Sequence, residues 1–121
     1  MRVRGTLVAE SLRAGAELNV PMEVGRIRRV RAGDVAAAQP ATWTLVELSV
    51  AAEDIDRLVG QLGEALEPGP WYADLASDNE TVVVFAGRVV RYPRGDVAGR
   101  GEAEAHARAV GVPEGQIDWP V

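Results

Sequence analysis

The stretch Thr81-Val82-Val83-Val84-Phe85-Ala86-Gly87-Arg88-Val89-Val90-Arg91-Tyr92 reads as two strands joined by a tight reversal. β-Branched and aromatic side chains suit a pleated, half-buried surface. Ala86-Gly87 supplies the reversal, and glycine in second place predicts a type I turn closing on a left-handed residue with a bulge. Strands joined so closely must run antiparallel. Just upstream, Trp71 to Leu75 reads as another strand and Ser77-Asp78-Asn79-Glu80 as the turn between them, so a compact antiparallel sheet is expected here.

Two helices flank this region. Before it, Ile55, Leu58, Val59, Leu62 and Leu66 fall on one stripe of a helix expected from about Ala52 to Leu66. Glu53 and Asp54 favour its first turn, and Pro68-Gly69-Pro70 stops it. Gly60 and Gly63 weaken it by about 1 kcal/mol each relative to alanine, which predicts close approach to the sheet. After it, Asp96 is the expected N-cap of a helix ending near Val110, where Gly111, Val112 and Pro113 form an apolar left-handed stop. The tail from Ile117 to Val121 alternates apolar and polar residues and is expected to dock on the body.

Towards the N-terminus, Val3 to Glu10 alternates as a first strand, and Ser11 to Asn19 connects. In Met22 to Arg31 the apolar period shifts from two to three, which fits a strand with a bulge near Gly25; a short helix is the alternative. Thr42 to Val50 is a strand with two partly apolar faces. That pattern suits a central strand covered on both sides, or an outer face buried in a homodimer. No repeat or linker interrupts the chain. The expected fold class is α+β, an antiparallel β-sheet with two main α-helices in a single domain spanning residues 1–121.

Composition excludes more than it assigns. The net charge of -5 argues against a nucleic-acid or anionic-membrane partner, both of which need a basic surface. With no cysteine, thiolate metal sites, disulfides and cysteine nucleophiles are absent; a single histidine, His106, cannot build a multi-histidine metal site in one chain. All 13 basic residues are arginine, so no lysine serves as a Schiff base or phosphate-loop residue. No metal and no cofactor is expected. The N-terminus lacks the apolar core of a signal peptide, and no run reaches the roughly 20 apolar residues of a spanning helix, so a cytoplasmic location is expected.

The C-terminal half carries a resemblance. Trp71-Tyr72-Ala73-Asp74, Val82-Val83-Val84-Phe85, Gly87-Arg88-Val89, Arg91-Tyr92-Pro93, Gly111-Val112-Pro113 and Gln116-Ile117-Asp118 together resemble a group of small bacterial proteins, frequent in actinobacteria, with no assigned activity. The resemblance extends more loosely over the Trp43 strand and the helix after it. It implies a fold and a host, and no catalytic residues.

Three groups of side chains are candidates for chemistry. His106 follows Glu102 by one helical turn, the spacing of a base and its orienting carboxylate, and equally that of a charged helix flank. Asp74 sits in a strand among aromatic and apolar residues. If Arg88 or Arg91 reaches it, an ion pair forms on a ledge with Tyr72 and Tyr92, suited to a small anionic ligand. Arg26, Arg28, Arg29 and Arg31 form a basic cluster that fits either an anion or a solvated edge strand. Arg94-Gly95-Asp96 spells an adhesion tripeptide but reads as the turn before the last helix. Trp43, Trp71 and Trp119 read as core or interface anchors.

The leading expectation is a non-catalytic ligand-binding or protein-interaction domain. The alternative is a small cofactor-independent acid–base enzyme of isomerase or lyase type, with His106 as acid or base and Asp74 or Glu102 orienting it. A regulator whose acidic surface meets a basic protein is a third reading.

Overall fold

The strands form where alternation and β-branched content place them: β1 (Arg2–Val8), β2 (Glu23–Arg31), β3 (Thr42–Ala51), β4 (Ala73–Ala76), β5 (Glu80–Phe85) and β6 (Arg88–Pro93). Helices α1 (Ile55–Ala65) and α2 (Val97–Ala109) interrupt and follow them. This computed structural model describes residues 1–119. All six strands join one antiparallel sheet in the order β2-β3-β1-β4-β5-β6. The first strand of the chain therefore lies inside the sheet, between β3 and β4.

Each face of the sheet is closed by one helix, but unequally. α1 lays Ile55, Leu58, Val59 and Leu62 on Val3, Leu7, Leu48, Val50, Leu75, Val82 and Val84. Burying each such side chain stabilises by about 1.5–3 kcal/mol. The opposite face is covered only over β5 and β6, where Ala103 and Ala107 of α2 meet Val83, Phe85, Val90 and Tyr92. Ile117 and Trp119 of the tail complete that cluster. Pro120 and Val121 of the expected docking segment lie outside the described residues. Small residues let α2 approach closely: a Cβ on Gly99 would collide with the Cβ of Tyr92. Over β1, β2 and β3 no helix covers this second face.

Local details follow the chemistry of the turns. Between Val24 and Arg26 the β2–β3 register shifts, so the bulge at Gly25 is real and the helical alternative for this segment is not adopted. The β5–β6 ladder runs unbroken to Phe85–Arg88 with Gly87 at φ 71°, so the reversal is a two-residue turn and the expected extra bulge residue is absent. Asp96 caps α2 through the Gly99 N–H. At its other end the Val112 N–H reaches the Ala107 carbonyl with Gly111 at φ 91°, the left-handed stop expected there.

Two expectations are corrected. Gly60 and Gly63 do not mark close packing, since a Cβ at either would meet open space. α1 touches the β5–β6 turn through backbone instead, its Gly63 carbonyl accepting from the Gly87 N–H at 3.0 Å. Trp71 and Tyr72 precede β4 rather than belonging to it. Trp71 folds onto Trp43, and so covers from within the chain part of the second face of β3 that suggested a homodimer. Among the described residues the large apolar side chains left exposed are Val24 and Ile27 on the edge strand β2, with Met1, Val89 and Val97 elsewhere.

Candidate functional site

Strand alternation decides what the uncovered half of the second face displays. Arg4 and Thr6 of β1 pair with Ser49 and Glu47 of β3 and with Ala76 and Asp74 of β4, so these side chains share that face. The bulge at Gly25 then puts Arg26 opposite Glu47. A concavity of about 600 Å³ results, lined by Arg4, Thr6, Glu23, Arg26, Glu47, Ser49 and Asp74 among others. A smaller cleft of about 80 Å³ adjoins it, sharing Thr6 and Asp74 and walled by Trp43, Trp71, Tyr72, Leu45, Val8 and Gln116.

The charges in this region are unevenly matched. Glu47 accepts from Arg26 at 2.7 Å and from Arg28 at 3.3 Å, and these guanidiniums hold its carboxyl below the usual range. Arg29 pairs with Glu10 on the opposite side of the strand at 3.2 Å. Arg4, by contrast, makes no ion pair or side-chain hydrogen bond among the described residues. Asp74 has no cation either, and its carboxylate meets only its own backbone N–H. Burial, and then the nearby Asp118 carboxylate, push the Asp74 pKa up to about 6. The same burial, with Asp74 and Asp118 beside it, pushes the Tyr72 phenol up as well.

A second network holds the far wall. Gln116 Nε2 donates to the Asp34 carbonyl at 2.7 Å and to Gln39 Oε1 at 3.0 Å, while Gln39 Nε2 donates to the Pro70 carbonyl at 2.8 Å. The two acceptors fix which end of the Gln116 amide is which. Its Oε1 is left buried without a partner among the described residues. Tyr72 Oη donates to the Gln116 carbonyl at 2.8 Å, pinning the tail against β4. The Trp43 and Trp71 rings stand 5.5 Å apart at 51°.

The residues expected to act together are separated. Arg88 donates to Glu102 at 3.0 Å. Among the described residues no ion pair joins Glu102 to His106, which packs edge-on against Phe85 at 4.6 Å instead. Burial and then Arg88 lower the His106 pKa, and His106 lines neither of the two cavities. Arg91 lies on the α1 face, held by Glu80 and Asp56. Neither arginine reaches Asp74, so the expected ledge does not form: β-strand alternation puts Arg91 on the wrong face, and Glu102 takes Arg88. Tyr92 is fully buried beneath α2. Of the expected site residues, the structure brings together Tyr72 and Asp74 at this cleft and, apart from them, Arg88 and Glu102.

Arg4, Thr6, Gln116 and the two tryptophan walls were not singled out as site residues by sequence. An arginine in the first strand carries no signal until its partners are known, and Gln116 gains meaning only from contacts with Asp34 and Gln39. Among the described residues no group of three His, Asp or Glu side chains is placed to hold a metal ion, and no helix is long and apolar enough to cross a membrane. No family model matches the chain, and neither a curated protein nor a solved structure shows significant similarity to it.

Proposed function

We propose that this protein is a non-catalytic binding domain whose site is the uncovered half of the second sheet face, with Asp74 at its inner end. The observation that carries this reading is that Arg4 and Asp74, opposite charges without ion-pair partners among the described residues, line the same concavity of about 600 Å³. A volume of this order accommodates a small molecule or a few residues of a partner protein. A ligand that offers an anionic group to Arg4 and a donor to Asp74 satisfies both charges at once. The lining includes no histidine, and among the described residues neither of its hydroxyls, Thr6 and Ser49, donates to a carboxylate, Ser49 accepting from Arg2 instead.

One observation favours a second reading, an acid–base enzyme of the isomerase or lyase kind. A carboxyl with a pKa of about 6 beside a second carboxylate is tuned for proton transfer near neutral pH. In that case Asp74 is the acid or base, and His106 is a bystander.

A thermal-shift screen against common metabolites and short charged peptides, repeated on Arg4→Ala, Asp74→Asn and His106→Ala, tests both. At about 100 times its Kd a ligand stabilises by roughly 2.7 kcal/mol, or several degrees for a domain of this size. The binding reading expects a hit lost in the first two variants, retained in His106→Ala, and chemically unchanged after incubation. A hit that survives Arg4→Ala and Asp74→Asn alike overturns the assigned site, and a hit converted to product replaces binding by catalysis.

A further inference from the structure

The cleft beside Asp74 has a more specific chemistry than the concavity it opens into. Its polar groups are the Asp74 carboxylate, the Tyr72 oxygen, whose hydrogen is already given to the Gln116 carbonyl, and the Thr6 hydroxyl, which can accept as well as donate. Leaving a buried acceptor unpaired is costly, and only a donor group relieves it. Trp43 and Trp71 add ring faces, which attract cations and repel anions. The volume of about 80 Å³ admits one compact head group and no more.

We propose that this cleft binds an organic cation, a guanidinium or alkylammonium head group, against the Trp43 and Trp71 rings with its N–H donors on Asp74. The proposal rests on the binding reading above and names the ligand chemistry of its inner end. A carboxylate or a phosphate would be repelled by the Asp74 carboxylate. A hydrated metal ion is disfavoured by the indole walls, which offer no ligand atoms. The head group can come from a free amine or guanidine, or from a lysine or arginine side chain of a protein partner.

The test is a titration followed by the indole and backbone N–H resonances. The probes are methylguanidinium, propylammonium and the peptide Gly-Arg-Gly, with sodium chloride at equal ionic strength and propionate as references. Saturable shifts of the Trp43 and Trp71 indoles with the cations, absent with the references and at least tenfold weaker in Asp74→Asn, are expected. Tighter binding of the peptide than of methylguanidinium assigns the head group to a protein side chain. Tighter binding of the free cation assigns it to a small molecule, and both orders support the site. Indoles that stay still with every cation, or move equally in Asp74→Asn, overturn it. Should a ligand shift the Arg4 and Ser49 amides while the indoles stay still, the larger site stands and only the cation assignment falls.

Discussion

Asp74 shows how one residue can trade stability for readiness. Folding raises its pKa from near 3.8 to about 6, so within that window the native protein keeps a proton that the unfolded chain has lost. Unfolding then releases the proton, and stability falls as pH rises from about 4 to about 6. A shift of this size corresponds to about 3 kcal/mol. Asp74→Asn removes the effect. Urea denaturation of both proteins at pH 4 and pH 8 is expected to show the variant gaining up to about 3 kcal/mol on the wild type between the two. An identical difference at both pH values would mean that the carboxyl is not held out of water.

At the scale of elements, two helical glycines make opposite predictions from one residue type. Gly60 lies in α1, exposed, with open space where a Cβ would go. Gly60→Ala is expected to stabilise by about 0.5–1 kcal/mol, the usual helix-propensity gain. Gly99 lies where α2 crosses β6, and its Cβ would collide with Tyr92. Gly99→Ala is expected to destabilise by about 1–3 kcal/mol, because the helix must move off the sheet. Thermal or chemical unfolding of the pair decides it, and two changes of the same sign would contradict the packing described.

These glycines also mark what a sequence conveys. The apolar stripe of α1, the Asp96 cap and the Gly111 stop were legible because each is written within a few consecutive residues. So was the bulge at Gly25, as a change of period. Nothing in the structure explains Gly60, and why Gly99 is glycine was not legible, since the reason lies on another element. The same holds for the site. Asp74 stood out as a carboxyl among apolar residues, yet its neighbours Arg4, Trp43 and Gln116 come from three distant segments. The pairing of Glu102 with Arg88 rather than His106 is likewise a tertiary event that i,i+4 spacing could not reveal.

For the whole molecule, the tail closes what the helices leave open. Ile117 and Trp119 are buried against the α2 cluster, and Gln116 walls the cleft. Truncation after Pro113 removes two large apolar side chains worth about 1.5–3 kcal/mol each, a large part of the roughly 5–15 kcal/mol of a typical domain. The truncated protein is expected to unfold at markedly lower urea concentration and to lose the cation response. An unchanged midpoint would show that the tail is an ornament on a self-sufficient body.

The position of β1 has its own consequence for biosynthesis. Its partner strands β3 and β4 follow it in the chain, with Val3 paired to Val50 and Thr6 to Asp74. On the ribosome Val3 and Leu7 emerge before either partner strand, their hydrogen-bonding edges bare until β3 follows. The sheet cannot begin until β3 is released; β4, β5 and β6 then add to the other side of β1 in turn. Non-local pairing of this kind slows folding and lengthens the exposure of apolar edges. A nascent chain arrested before Asp74 leaves one edge of β1 unpaired, which the folded protein does not.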